Sequence, residues 1–249
     1  MATPDHESAA GQPPADAPAL PAAPVDRTIV VIPAYNEGQV VREVLAEILT
    51  VFPRVVVVDD GSADATAAQA RLAGATVLRH PVNVGQGAAL ETGVRYALQL
   101  GAEYFVTMDA DGQHLPGDAR AMLAQLDRQR ATLDVVLGSR FLGLASAMGR
   151  RRRLLLRAAT LLSRRLHGLA LTDTHNGLRV FSRNVAERMR FHHVDMAHAS
   201  DVYDIIRKYG FRFEEHPVTI RYTDYSKAKG QPMLNAINIL IDFLFNRVK

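Results

Sequence analysis

Apolar residues in this chain come in short unbroken runs, each followed by an amphipathic stretch. Thr28 to Tyr35 (TIVVIPAY) and Val55 to Asp60 (VVVVDD) are apolar along nearly their whole length, as strands buried on both faces require. Ala75 to His80 (ATVLRH) and Tyr104 to Asp109 (YFVTMD) read as a third and a fourth strand. Between them, Glu37 to Val51, Ala63 to Ala73 and Gly87 to Leu100 carry helical periodicity. Strands alternating with helices of this length predict βαβ units, hence an α/β fold with a mostly parallel sheet sandwiched by helices. Further on, the pattern predicts a helix over Pro116 to Gln129 and a strand over Asp134 to Arg140. A polar loop leading into a short strand follows within Asp173 to Arg183, then helices around Asn184 to Arg190 and Ser200 to Tyr209. Phe211 to Tyr222 reads as an edge strand, the one place in a sheet where Pro217 is tolerated.

Two segments break the rhythm. In GRRRRLLLRAATLLSRRLHG, Leu154, Leu155, Leu161, Leu162 and Leu166 make a basic amphipathic helix. It suits an anionic membrane surface or a lipid-phosphate acceptor, or else lays a solvated arginine face over a core-packed stripe. At the other end, Leu234, Ile237, Ile241, Leu244 and Val248 share one helical stripe, so the C-terminal helix (231–249) packs on the domain, on a partner or in a membrane interface.

Charge sharpens this division. The first 26 residues hold half of the 12 prolines and the acids Asp5, Glu7, Asp16 and Asp26, with no Lys or Arg. That composition predicts a disordered tail over 1–26, without the positive charge and apolar core of a signal or transit peptide, ahead of a single domain over 27–230. Removing its four acids leaves 29 basic against 22 acidic residues, about +7 for the folded part against +3 overall. Arg140 to Arg190 contains twelve arginines against only Asp173 and Glu187. The arginine cluster has no aromatic residue to stack bases, which argues against nucleic acid. No apolar run approaches the roughly 20 residues of a membrane-spanning helix. The chain has no cysteine, which excludes disulfides, thiolate zinc sites and cysteine nucleophiles and fits a cytoplasmic enzyme.

Candidate chemistry gathers at the carboxyl ends of the predicted strands, where open α/β sheets bind ligands. Pro33, Tyr35, Asn36 and Glu37 follow the first, Asp59, Asp60, Gly61 and Ser62 the second, and Asp109, Asp111, Gln113 and His114 the fourth. Asp109 and Asp111 flank the small Ala110 and can turn oxygen atoms toward one hard cation. Mg²⁺ characteristically takes one or two carboxylates plus substrate phosphates. Asp-x-Asp-Gly also makes turns and opens calcium loops, but here Arg120 falls at the twelfth loop position, where a calcium site needs a bidentate Glu. Asn83 to Ala89 (NVGQGAA) places Gly85 and Gly87 before a helix, where backbone can approach a ligand or simply pack closely. Arg140 could face a diphosphate. His192, His193 and His198 lack the spacing of a His-Glu-x-x-His metal site.

Jointly, VIPAYNEG, VVVVDDGSADAT, NVGQGAA, VTMDADGQH, GSRF, NGLRVFSR and YTDYSKAKG resemble family 2 glycosyltransferases of the GT-A (Rossmann-like) fold, within them the dolichyl-phosphate mannose synthase and polyprenyl-phosphate glycosyltransferase group. The resemblance runs from about Thr28 to Lys229. It implies a nucleotide-sugar pocket of Pro33, Tyr35, Glu37, Asp59 and Asp60, with Gly85 and Gly87 nearby and Asp60 toward the base. It implies Mg²⁺ or Mn²⁺ on Asp109, Asp111 and Gln113, with Asp111 and Arg140 at the reacting centre. Arg140, Arg157, Arg179, Arg221 and Lys227 would face the diphosphate or an acceptor phosphate. Three positions depart from the pattern. Gln86 stands where relatives commonly carry lysine, Asp201 where many have glutamate, and the appended membrane helices of many polyprenyl-phosphate enzymes are missing.

The expected reaction is inverting transfer of a hexose from a UDP-sugar or GDP-mannose to polyprenyl phosphate at the cytoplasmic membrane face. The enzyme would be bound there peripherally, and some relatives use a separate membrane protein partner. A phosphate acceptor is already largely ionised at neutral pH and needs no general base. A hydroxyl of a growing glycan would need one, and Asp195 or Asp201 would have to serve. A third expectation, of another class, is a non-catalytic module that binds nucleotide sugar or recruits a membrane protein.

Overall fold

The computed structural model describes residues 24–142, 171–173, 176–190, 198–222 and 225. The expected tail up to residue 23, the basic helix, the C-terminal helix, Arg157, Asp195 and Lys227 lie outside the described residues. A 3₁₀ turn, Pro24–Arg27, leads into β1 (Thr28–Ala34), α1 (Val41–Leu49), β2 (Val55–Asp59), α2 (Thr66–Leu72) and β3 (Thr76–Arg79). Then come α3 (Gln86–Gln99), β4 (Tyr104–Thr107), α4 (Pro116–Arg128), β5 (Val135–Ser139), β6 (Arg179–Ser182), α5 (Arg183–Arg188), α6 (His198–Tyr209) and β7 (Phe213–Pro217).

The strands form one sheet in the order β3-β2-β1-β4-β6-β5-β7. β1 pairs in parallel with β2 and β4, β2 with β3, and β5 with β7, while β6 runs antiparallel between β4 and β5. Both faces are covered. On one, Val30, Ile32, Val57 and Val106 pack with Leu45 and Ile48 of α1 and Met122 and Leu126 of α4. On the other, Val31, Val56, Val58 and Phe105 pack with Leu90 and Val94 of α3, Val185 of α5 and Ile206 of α6. Phe105 and Phe181 stack across the β4–β6 pair with centroids 5.6 Å apart, a contact contributing about 1 kcal/mol beyond its buried area.

Two differences from the sequence pattern have local causes. β6 is antiparallel, and its four residues, Arg179, Val180, Phe181 and Ser182, carry no signal of direction. α1 starts at Val41 rather than Glu37, because the Glu37 carbonyl accepts the amides of both Val40 and Val41 and so forms a turn first. β7 does lie at the sheet edge, and Pro217 ends it.

Strand order reverses direction between β1 and β4, which makes their carboxyl ends a topological switch point. Pro33 fits there without the loss of a strand hydrogen bond. Val30 and Asp60 make the hydrogen bonds that tie β1 to β2, whereas Met108 N donates to Val31 O on the β4 side. Alternation therefore aims position 33 at β4, whose pairing with β1 has already ended at Val31 and Thr107, and the missing N–H of proline leaves no partner unpaired.

Candidate active site

Chain segments leaving β1, β2 and β4 meet at this opening, with the starts of α3 and β6. Asn36 takes a left-handed conformation (φ 53°), held by its amide on Ser62 Oγ and by its Oδ1, which accepts Ala63 N. The turn leaves Tyr35 45% exposed and carries Glu37 inward, where its amide donates to Thr66 Oγ1. Tyr225 Oη donates to Glu37 Oε2 at 2.7 Å, so this tyrosine meets the first-strand motif.

At the end of β2, both aspartates are buried. Asp59 Oδ1 accepts Ser62 N, and Arg79 Nε stands 3.2 Å from its Oδ2. Asp60 accepts the amides of Val84 and Gly85 and the Nδ1 of His80. The glycine loop is thus fastened to a carboxylate of the chain itself. Gly85 N is engaged by Asp60 and Gly87 is buried in the first turn of α3.

After β4, Ala110 is buried and its neighbours Asp109 and Asp111 are half-buried. Asp109 is held by Gln86 Nε2, 3.2 Å from Oδ1, and by His114 Nε2, 3.0 Å from Oδ2. Gly177, just before β6, lies under the same carboxylate, and a Cβ there would sit 2.6 and 2.7 Å from its two oxygens. Asp111 Oδ1 accepts Gln113 N, and Gln113 O accepts Arg221 N. Burial first, and then the neighbouring Asp109 charge, push the Asp111 carboxyl up to about 6. Two oxygen-donor side chains sharing a site, one of them resisting ionisation, are a fit for a hard divalent cation, whose charge would relieve both causes. Among the described residues no group of three His, Cys, Asp or Glu forms a closed cage, so the pair would share such a cation with a ligand. Gln113 meets Asp111 and Arg221 through its backbone.

Arg140 begins the excursion after β5 and is tied down at once. Asp173 Oδ2 accepts both its backbone N (3.1 Å) and its Nε (2.6 Å), which orients the guanidinium at the rim. Asp173 is held in turn by Glu215 of β7, which accepts Asp173 N, Thr172 N and Thr172 Oγ1.

Of the other predicted cations, Arg179 and Arg221 are among the described residues. Arg179 was expected to face a phosphate, but it is 2% exposed within β6, against Tyr203 of α6, and its Nε has no hydrogen-bond partner among the described residues. Arg221 forms a two-pronged ion pair with Glu47 of α1, both bonds 2.9 Å. That pair borders a cavity of about 320 Å³ that also reaches Asp111, Gly112 and Tyr225. Asp201 lies on α6, with its side chain outside the described set.

Sequence reasoning missed three contributors, His80, Asp173 and Glu215, and named His114 at the end of the fourth strand without its partner. A local signal was present for His80, which directly follows β3, but the partners are set by tertiary contact. Gln86 had been read only as a missing positive charge.

Comparison with known proteins agrees with this arrangement. Residues 29–190 match the family model described as glycosyl transferase family 2. The polyprenol monophosphomannose synthase of Mycolicibacterium smegmatis is 32% identical over 248 residues, covering 94% of this chain and 91% of that protein. A UDP-N-acetylglucosamine–dolichyl-phosphate N-acetylglucosaminyltransferase of Methanococcus voltae is 29% identical, covering 86% and 91%. Among solved structures, glucosyl-3-phosphoglycerate synthase from Mycobacterium tuberculosis, in complex with Mn²⁺, UDP and glucosyl-3-phosphoglycerate, superposes with a TM-score of 0.67 at 20% identity, covering 88% of this chain and 79% of that one. The sheet and its flanking helices are therefore those of a GT-A glycosyltransferase.

Proposed function

The chain belongs to glycosyl transferase family 2, and from that premise we propose that it moves a hexosyl group from a nucleotide-diphosphate sugar to the phosphate of a polyprenyl phosphate. The observation that carries this reading is the Asp109–Asp111 pair at the β1/β4 switch point. Near-full-length similarity to a polyprenol monophosphomannose synthase and to a dolichyl-phosphate N-acetylglucosaminyltransferase supports the choice of acceptor.

Asp109 and Asp111 would hold Mg²⁺ or Mn²⁺ against the donor diphosphate, the former oriented by Gln86 and His114. The cation would supply Lewis-acid stabilisation of the departing nucleoside diphosphate. Arg140, fixed by Asp173, would place a second positive charge on the same side. An acceptor phosphate oxygen attacks the anomeric carbon, the bond from that carbon to the diphosphate oxygen breaks, and the nucleoside diphosphate leaves with the electron pair. In-line attack inverts the anomeric centre. No proton need be removed from an ionised phosphate, so the residues position and neutralise rather than deprotonate. Among the described residues no helix is long and apolar enough to cross a membrane, and peripheral association at the cytoplasmic face, alone or through a small membrane protein, would bring the site to its lipid.

The deciding experiment measures release of UDP or GDP from a panel of nucleotide sugars with Mn²⁺, with and without a short-chain polyprenyl phosphate, using Asp111→Ala as control. Release that needs the lipid phosphate and disappears in the variant is expected. Release indifferent to lipid phosphate but stimulated by a glycan would replace the acceptor. No release with any acceptor would leave a binding module.

A further inference from the structure

Arg179 is buried, ionised and unused by the chemistry above. It is 2% exposed within β6, its Nε has no hydrogen-bond partner, and it forms no ion pair among the described residues. A guanidinium does not shed its proton in a protein, so the position holds a full positive charge. Burying a charge is costly unless opposite charge stands near it.

Strand register shows where that opposite charge is. Leu137 of β5 pairs with Arg179 on one side and with Glu215 on the other, which puts the three side chains at one level on one face of the sheet. That face is covered by α6, whose Tyr203 packs in the same core as Leu137 and Phe181. The Arg179 guanidinium donates to the Tyr203 hydroxyl, which also lies within the field of Asp173 and Glu215. Glu215 accepts Asp173 N at 3.2 Å, so the two carboxylates belong to one group with the buried cation.

Charge balance within this group decides what Arg140 can do. Asp173 holds the Arg140 guanidinium at 2.6 Å, and a carboxylate that close cancels most of the pull the guanidinium exerts on an anion. Glu215, which fastens the Asp173 backbone, adds a second negative charge. With these two alone, Arg140 would stand in an excess of negative charge that repels a phosphate. We propose that Arg179 is a positioning residue of the transfer site: its buried charge balances Asp173 and Glu215, so that Arg140 can be held by a carboxylate and still attract a phosphate. This rests on the function proposed above, in which Arg140 meets a phosphate, whether of the donor diphosphate or of the acceptor lipid. One unit charge in so poorly solvated a setting is worth roughly tenfold or more in affinity for an anion.

The test must separate charge from packing. Binding of UDP, GDP and a short-chain polyprenyl phosphate to the full chain would be measured by calorimetry with Mn²⁺. The proteins compared are the native chain, Arg179→Met, Arg179→Lys and the double variant Arg179→Met with Glu215→Gln. Arg179→Met keeps the bulk and removes the charge, and should weaken binding of at least one phosphate ligand about tenfold or more. Loss confined to the lipid phosphate assigns Arg140 to the acceptor, and loss confined to the nucleotides assigns it to the donor. Arg179→Lys, which keeps the charge, should bind within about threefold of the native protein. The double variant is balanced again, and its new amide oxygen can still accept Thr172 N. It should therefore recover most of the loss, which a defect of packing at position 179 would not allow. Native affinity for every ligand in Arg179→Met would overturn the inference while leaving the transfer reading in place, and so would a loss that the double variant does not recover. Failure of the native protein to bind any of the three ligands would overturn the inference together with the reading on which it rests. Should Arg179→Met not fold alone, the double variant decides: near-native binding supports the charge balance, and failure to fold or to bind overturns it.

Discussion

His114 Nε2 stands 3.0 Å from Asp109 Oδ2, with the histidine 6% exposed beneath the turn that carries both carboxylates of the candidate metal site. The proton of that contact sits on Nε2, the nitrogen that meets an acceptor. An isolated β-bridge from His114 to Ile220 holds the backbone of the turn as well. His114 thus orients one carboxylate of the pair without joining it. Partners of this kind typically contribute 10- to 100-fold to metal affinity. His114→Phe should weaken Mn²⁺ binding by about tenfold or more, and His114→Gln, whose amide can reach the Nε2 position, should recover part of it. Mn²⁺ titration followed by electron paramagnetic resonance would check this. Equal affinity in His114→Phe and the native protein would remove His114 from the metal site.

Gly177 presses on the same carboxylate from the opposite strand. A methyl at position 177 would sit 2.6 to 2.7 Å from both oxygens of Asp109, far inside contact distance. The Gly177 carbonyl is also fixed, because it accepts Thr107 Oγ1 at 2.8 Å. Backbone so anchored does not yield easily, so the carboxylate must. Gly177→Ala should displace Asp109 from Gln86 and His114, lower Mn²⁺ affinity, and cost about 1–3 kcal/mol of stability. Paired denaturant melts and metal titrations separate the two effects. Unchanged metal binding would show that Asp109 moves without consequence.

These contacts also mark the limit of what the sequence could reveal. An apolar run broken by Asp109 and Asp111 announces a strand end carrying carboxylates, because burial and ionisation are incompatible within a sheet interior. The same logic found Glu37 and Asp60, and Thr28 and Tyr104 open their strands as read. The direction of β6 was not legible, since its four residues pack equally well either way. Nor was the fate of Arg179, which reads as a phosphate ligand until antiparallel pairing on both sides buries it. His80 and Glu215 act on partners 12 to 43 positions away, and no local pattern encodes such a pairing. Gln86 shows the hazard of judging by charge alone: it lacks the lysine's cation but donates to Asp109.

Glu215 offers a test of how the rim is held. From the edge strand β7 it accepts Thr172 N at 2.8 Å, Thr172 Oγ1 at 2.9 Å and Asp173 N at 3.2 Å. Asp173 in turn fixes Arg140. Removing the carboxylate orphans two backbone amides and releases the segment on which the arginine depends. Glu215→Ala should lower kcat at least about tenfold in the proposed transfer while changing Mn²⁺ affinity little, because the Asp109–Asp111 pair stands on the turn after β4. Glu215→Gln, which keeps an acceptor oxygen, should recover most of the loss. Native kcat in Glu215→Ala would mean that Arg140 keeps its position without this support, or has no part in the chemistry.

Asp111 should trade stability for metal binding, and pH separates the two. Its carboxyl is pushed up to about 6 by burial and by Asp109, with Glu37 adding slightly and the Gln113 amide and His114 opposing. Below about pH 4 the folded and unfolded states both hold the proton, and the group contributes no difference. Between about 4 and 6 the folded state holds a proton that the unfolded state has lost, so stability falls as pH rises. Above about 6 the penalty is complete. Cation binding runs the other way, since Mn²⁺ must displace that proton below about pH 6 and meets a ready carboxylate above it. Other carboxylates oppose the first trend, among them Asp134, which Arg212 holds below its ordinary value. The effect of Asp111 must therefore be read as the difference between the native protein and Asp111→Asn. Without metal at about pH 7, Asp111→Asn should melt at a higher temperature than the native protein, and the gap should close toward about pH 4. Added Mn²⁺ should raise the melting temperature of the native protein at about pH 7, less so at about pH 5, and that of the variant at neither. A variant no more stable than the native protein at neutral pH would mean that Asp111 ionises there without strain. Equal stabilisation of both proteins by Mn²⁺ would place the cation elsewhere.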